Sequence, residues 1–101
     1  MTTCFYSELR VGGEYRTLHR HAHVMKTLRR PEIDHYVSIR KAIAQIEHNI
    51  QVTIPMGAVF SVLERVENRN VDGSPWYRVM YLGEAGYVNS IALAPTVEEL
   101  A

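Results

Sequence analysis

Three histidines at alternate positions, His19-Arg20-His21-Ala22-His23, are the sharpest chemical feature of this sequence. On a strand, side chains at i and i+2 point the same way, so two of these imidazoles can reach one tetrahedral metal ion. His35, His48 or Cys4 would then serve as a remote third ligand. Same-face neighbours on a strand stand about 7 Å apart, however, and all three rings converge only if the strand is strained. No carboxylate adjoins the cluster to orient the rings, and no His-Glu metalloenzyme motif is present. The plainer reading is a solvated or interface strand face. No metal or other cofactor is expected, and metal binding at His19, His21 and His23 stands as an alternative.

Other reactive groupings are thinner. The chain has no Gly-rich phosphate loop and no G-x-S-x-G, and Cys4 has no obvious base beside it. Glu98-Glu99 falls in a C-terminal stretch read as an acidic, mobile tail, and Glu32 and Asp34 suit the first turn of a helix, where carboxylates favour the positive end of the dipole. No catalytic residue is assigned, and the protein is expected not to be an enzyme. The basic cluster Arg29-Arg30, with Lys26, Arg40 and Lys41 nearby, has the charge to contact phosphates, although a solvated loop explains it as well.

Composition sets the scale within which these residues must be positioned. The 101 residues are 47% hydrophobic and 22% charged, enough for one domain with one core. One cysteine cannot form an internal disulfide. The start, MTTCFYSELRVGG, lacks the basic and apolar regions of a leader, and no stretch approaches the roughly 20 apolar residues of a membrane span. The expectation is a cytoplasmic protein that does not associate with membranes. Net charge is zero, yet residues 1–41 hold eight Lys/Arg against four Asp/Glu and residues 42–101 hold three against seven. The resulting +4 and −4 halves fit either a basic binding face or two halves packed on each other.

Along the chain the hydrophobic period changes twice. Residues 1–13 form an N-terminal segment ending in Gly12-Gly13. Residues 14–28 alternate as one strand or as two with a bend: Leu18, Ala22 and Val24 share a face, with Arg20 as a polar exception, and His19, His21, His23 and Met25 share the other. From Pro31 to His48, Tyr36, Ile39, Ile43 and Ile46 recur at spacings of three and four, continuing to Ile50. This predicts an inserted amphipathic helix over about 31–48 with one buried stripe and Asn49 just past its end. Strand signals then return in 50–54, 58–65, 76–82 and 86–89. Turn residues separate them at Pro55-Met56-Gly57, Asn68 to Pro75 and Gly83-Glu84-Ala85, and a helical turn is expected at Ser90–Leu93.

Two runs carry a recognisable pattern. Pro55-Met56-Gly57-Ala58-Val59-Phe60-Ser61-Val62-Leu63 is followed, after a polar loop, by Trp76-Tyr77-Arg78-Val79-Met80-Tyr81-Leu82-Gly83-Glu84-Ala85-Gly86-Tyr87-Val88. This resembles the bacterial SH3 (SH3b) family: a glycine, a strand with alternating valines, a loop, W-Y-x-V-x-Y, a glycine turn, G-Y/W-V and a closing short helix. The resemblance covers about 40 of the 101 residues, from Ile54 to Pro95. It implies a mainly β single domain, a small SH3-like β-barrel of about five strands whose core spans 54–95. The inserted helix is longer than the family's usual loop there.

On that fold Tyr77, Val79 and Tyr81 point inward, leaving Trp76, Arg78 and Met80 outside, and Tyr87 also faces out. Trp76, Arg78 and Tyr87 are therefore the candidate ligand-binding residues, an aromatic platform with one charge, unless the helix covers that face. The expected function is a non-enzymatic interaction module that binds a protein partner or self-associates as a homodimer. A nucleic-acid-associated module using the basic N-terminal half is the alternative from a different class.

Overall fold

The computed structural model describes residues 2–28, 39–67 and 70–100. Where β-branched and aromatic residues alternate with polar ones, the chain is extended, and every second side chain is removed from water. Phe60 and Val62 are buried on one strand, Tyr77 and Val79 on the next, and Val88 on a third. The described strands are β1 (Thr2–Phe5), β2 (Glu14–Thr17), β3 (Ala22–Met25), β4 (Ile50–Ile54), β5 (Val59–Val66), β6 (Trp76–Tyr81), β7 (Glu84–Asn89) and β8 (Thr96–Leu100). One helix, α1 (Ile39–Asn49), joins β3 to β4, and a 3-10 turn (Ser90–Leu93) joins β7 to β8.

All eight strands form one antiparallel sheet in the order β1-β8-β2-β5-β6-β7-β3-β4. The protein is thus mainly β, but the sheet is open, with β1 and β4 as its edges, rather than a closed barrel of about five strands. The extra strands come from segments expected to lie outside the core. The N-terminal segment supplies β1, and the stretch 96–101, read from its charges as a mobile tail, contains β8 (Thr96–Leu100), hydrogen-bonded between β1 and β2. Val97 is fully buried there, which anchors the stretch despite Glu98 and Glu99 beside it.

The core is a single cluster on one face of this sheet. Tyr15, Val24, Ile54, Phe60, Val62, Tyr77, Val79, Val88 and Val97 are all at most 1% exposed. A flat sheet with no covering layer leaves both faces wet, and α1 packs mainly on the edge strand β4. Burial this complete therefore requires the sheet to curl over its own inner face. Two tyrosine hydroxyls pin the 6–13 loop over that core: Tyr77 accepts from the Leu9 amide at 3.1 Å and Tyr15 from the Arg10 amide at 2.7 Å.

Residues 14–28 form two strands that lie far apart in the sheet. The break covers 18–21, where Arg20, the one polar residue on the apolar face, would otherwise have to be buried. It is instead exposed and donates to the Ala94 carbonyl at 3.3 Å. The β6–β7 turn is Leu82-Gly83 rather than Gly83-Glu84-Ala85. With φ of 49° and 79°, both residues are left-handed, as a two-residue hairpin turn requires, and Tyr81 pairs directly with Glu84. Gly86 is buried against β3, where an added Cβ would stand 2.4 Å from Val24 Cγ1.

The helix departs most from expectation. Its predicted first part, with Glu32, Asp34, Tyr36 and Val37, lies outside the described residues. Asn49 is its last residue, and its side chain bridges Thr27 by accepting from the Thr27 amide (3.1 Å) and donating to the Thr27 carbonyl (2.9 Å). The isoleucine stripe is not buried: Ile39 is 81%, Ile43 50% and Ile46 41% exposed, and only Ala42 is covered.

Candidate functional site

The Leu82-Gly83 turn fixes the β6–β7 register, which sets the outer face of the central strands. Arg78 stands opposite Tyr87 on one side and Glu64 on the other, and Trp76 stands opposite Asn89 and Val66. Trp76 and Tyr87 are therefore diagonal rather than directly side by side. All three candidate residues, Trp76, Arg78 and Tyr87, are half-buried on this face. Over its described residues, Ile39–Asn49, the helix does not roof them: its main neighbour is β4, three strands from β6.

A cleft of about 510 Å³ opens where β6 begins and β7 ends, lined by Asn70, Val71, Asp72, Trp76, Asn89 and Ile91. It gathers Trp76 with loop residues, whereas Arg78 and Tyr87 lie farther along the face, outside the lining. The loop is built from its own polar side chains. Asp72 Oδ1 accepts from the Ser74 amide (3.0 Å) and hydroxyl (2.6 Å), closing a tight turn at Gly73. Those hydrogen bonds hold the Asp72 carboxyl below its ordinary range. Asn70 and Asn89 exchange reciprocal amide bonds, Asn70 Nδ2 donating to Asn89 Oδ1 at 2.7 Å and Asn89 Nδ2 to Asn70 Oδ1 at 3.1 Å. Asn89 Oδ1 also accepts from the Ile91 amide at 3.2 Å, capping the 3-10 turn.

One donor in this assembly has no acceptor. Trp76 Nε1 is shut off from solvent without a hydrogen-bond partner, as is the hydroxyl of neighbouring Ser90. Buried polar groups are nearly always paired, and because water cannot touch this N–H it is enclosed by the protein rather than presented to the cleft; what Trp76 offers a ligand is the half-exposed remainder of its ring. Val71, fully exposed, and Ile91, 41% exposed, supply apolar rims, and Asp72 supplies one negative charge. Asn70, Asp72, Asn89 and Ile91 escaped the sequence reading because each was already accounted for by a turn, a strand end or a helical turn. The usable signal was an Asn-x-Asp-Gly loop directly before a Trp-initiated strand.

The three histidines do not share a strand face: His23 lies on β3, and His19 and His21 fall in the break before it. His19 Nε2 lies 3.0 Å from Thr96 Oγ1, and His23 Nδ1 lies 2.9 Å from Thr53 Oγ1. The His21 and His23 rings are 5.0 Å apart, and all three side chains are exposed. Among the described residues no three His, Cys, Asp or Glu side chains are arranged to hold a metal ion. His35 lies outside the described residues.

The charge asymmetry is partly cancelled within the fold. Because β8 lies between β1 and β2, Glu98 binds Arg16 at 3.0 Å and Glu99 binds Arg10, joining the basic and acidic halves. Cys4 of β1 donates to Glu99 Oε2 at 3.1 Å, and burial together with that carboxylate pushes its thiol pKa up. A thiol beside an anion is a poor nucleophile, which leaves Cys4 without the basic pocket that reactivity needs. No described helix is long and apolar enough to cross a membrane.

Comparison with protein families, curated proteins and solved structures gave no match.

Proposed function

We propose that the chain is an SH3-like interaction module that binds an extended peptide segment of a protein partner in the Trp76 cleft and has no catalytic role. The elements of the SH3b pattern follow in order: alternating valines on β5, W-Y-x-V-x-Y on β6, the Gly83 turn, Gly86-Tyr87-Val88 on β7 and the short helix at Ser90–Leu93. The observation that carries the binding proposal is the cleft itself, in which Trp76 meets the exposed apolar side chains of Val71 and Ile91 and the carboxylate of Asp72. An extended segment lies against the Trp76 ring, and its apolar side chains fill the rim at Val71 and Ile91. Asp72 favours a Lys or Arg in the ligand. Among the described residues the lining contains no nucleophile beside a base, so binding rather than reaction is the chemistry it suits.

The nucleic-acid reading is less favoured, because Arg10 and Arg16 are already paired with Glu99 and Glu98 and the cleft carries a carboxylate. Trp76 is the sole tryptophan of the chain, so its emission reports on the cleft directly. Peptides selected from a random library should shift that emission and carry a basic residue. Measured by calorimetry, their affinity should fall about tenfold with Trp76→Ala, which removes the ring, and again with Asp72→Asn. Selected binders indifferent to both substitutions would refute the site. Preferential, steeply salt-dependent binding of oligonucleotides would favour the alternative.

A further inference from the structure

Helix α1 turns its apolar row away from its own sheet. Ile39, Ile43 and Ile46 are exposed, and the small Ala42 is the helical residue buried. Their spacing of four and then three is the alternation of a two-helix seam, in which Ile39 and Ile46 occupy one core position and Ile43 the other. Such a stripe accepts a second amphipathic helix, and the flanking charges specify which one.

Arg40 directly follows Ile39, and Glu47 directly follows Ile46, so both occupy the same flanking position, seven residues apart on one side of the seam. Both are exposed, and neither takes part in the ion pairs found among the described residues. Ala42 occupies the opposite flank, turned toward its own domain. When two copies pair antiparallel about a two-fold axis, Ile43 of each packs on Ile46 of the other. That same register brings Arg40 of each copy beside Glu47 of the other. A parallel pair would set Glu47 against Ala42, which offers nothing to bind. Antiparallel pairing also opposes the helix dipoles favourably.

We infer that α1 pairs antiparallel with α1 of a second copy of this chain, through Ile39, Ile43 and Ile46 with reciprocal Arg40–Glu47 contacts, making the protein a weak, self-complementary homodimer. The interface is isologous, as two-fold symmetry requires. Three isoleucines per copy cover much less than the roughly 800 Å² per partner of a standard interface, so association is expected only at roughly 100 µM. This surface is separate from the Trp76 cleft.

Sedimentation equilibrium of the full chain at low salt, from about 5 to about 500 µM, tests it. The wild-type mass should rise from 11.6 kDa toward twice that value. Arg40→Glu and Glu47→Arg alone should each weaken association about fivefold or more, since each sets like charges together. An equimolar mixture of the two variants, and the double variant R40E/E47R, should both recover it. Circular dichroism identical to wild type keeps the comparison on folded protein, and the mixture carries the test even if the double variant does not fold. Trp76→Ala should leave the mass curve unchanged. The proposal is overturned if the wild type stays monomeric throughout, if the single charge variants associate normally, if mixing them restores nothing, or if Trp76→Ala abolishes the dimer.

Discussion

Substituting Gly86 by alanine should destabilise this protein strongly. The Cβ would stand 2.4 Å from Val24 Cγ1 and 2.8 Å from the Met25 carbonyl oxygen, against an ordinary contact of 3.4–4 Å. Val24 must therefore retreat by about 1 Å, yet it is fully buried and packed on all sides, and the Met25 carbonyl is backbone of β3, the strand adjoining β7. Overpacking of a tight core typically costs 1–3 kcal/mol, and a clash shared between a core side chain and a strand backbone belongs at the top of that range, about 3 kcal/mol. In a domain of this size each kcal/mol lowers Tm by about 4–8 °C, so a drop of roughly 12–24 °C is expected. Urea unfolding with an unchanged m-value should report the same loss as a lower midpoint. Val24→Ala removes the closest atom of the clash at the expense of a cavity, so the double variant should be less destabilised than the sum of the two singles, by about 1 kcal/mol. A Gly86→Ala loss below about 1 kcal/mol, or strict additivity with Val24→Ala, would show that β3 does not lie against β7 in this way.

Two further outcomes rest on side chains. Tyr77→Phe deletes the acceptor of the buried Leu9 amide, and leaving that N–H unpaired should cost about 1–3 kcal/mol in urea unfolding; a neutral result would mean that the 6–13 loop is not held by Tyr77. The hydrogen bond from Cys4 and the charge of Arg10 hold the Glu99 carboxyl below its ordinary 4.5, so the unfolded chain takes up that proton first. The resulting stability is complete above about pH 4.5 and disappears as pH falls through the lower native value. The urea midpoint should therefore decline with acid in the wild type and less steeply in Glu99→Gln, and parallel profiles would contradict the assignment.

The periodicities in the sequence were sufficient for the inner face of the central strands. Tyr77, Val79 and Val88, and the outward placement of Trp76 and Arg78, follow from a two-residue repeat that any pleated strand imposes, and the resemblance to SH3b follows from the same residues. The helix was legible as a helix because its isoleucines recur at three and four. Amphipathicity states only that a face is apolar, however, not that its own domain covers it, and here the domain does not. Charge misled at the C-terminus. Glu98 and Glu99 suggested a solvated tail, while the single Val97 between β1 and β2 fixes the segment as a strand whose carboxylates meet Arg10 and Arg16 from the far end of the chain.

The sequence by itself determined that the protein is mainly β, where most of its strands and its helix fall, and which side chains of β5, β6 and β7 are withdrawn from water, because these depend on neighbours within a few residues. Tertiary structure decided the rest. Strand order, the open sheet and the meeting of Asn70 with Asn89 all depend on pairings between distant segments, and local patterns carry no information about which distant segment is the partner. The candidate site is the clearest case: Trp76 was visible from its position in a motif, but the cleft around it exists only because a loop closed by Asp72 and a turn capped by Asn89 are brought to the same end of the sheet.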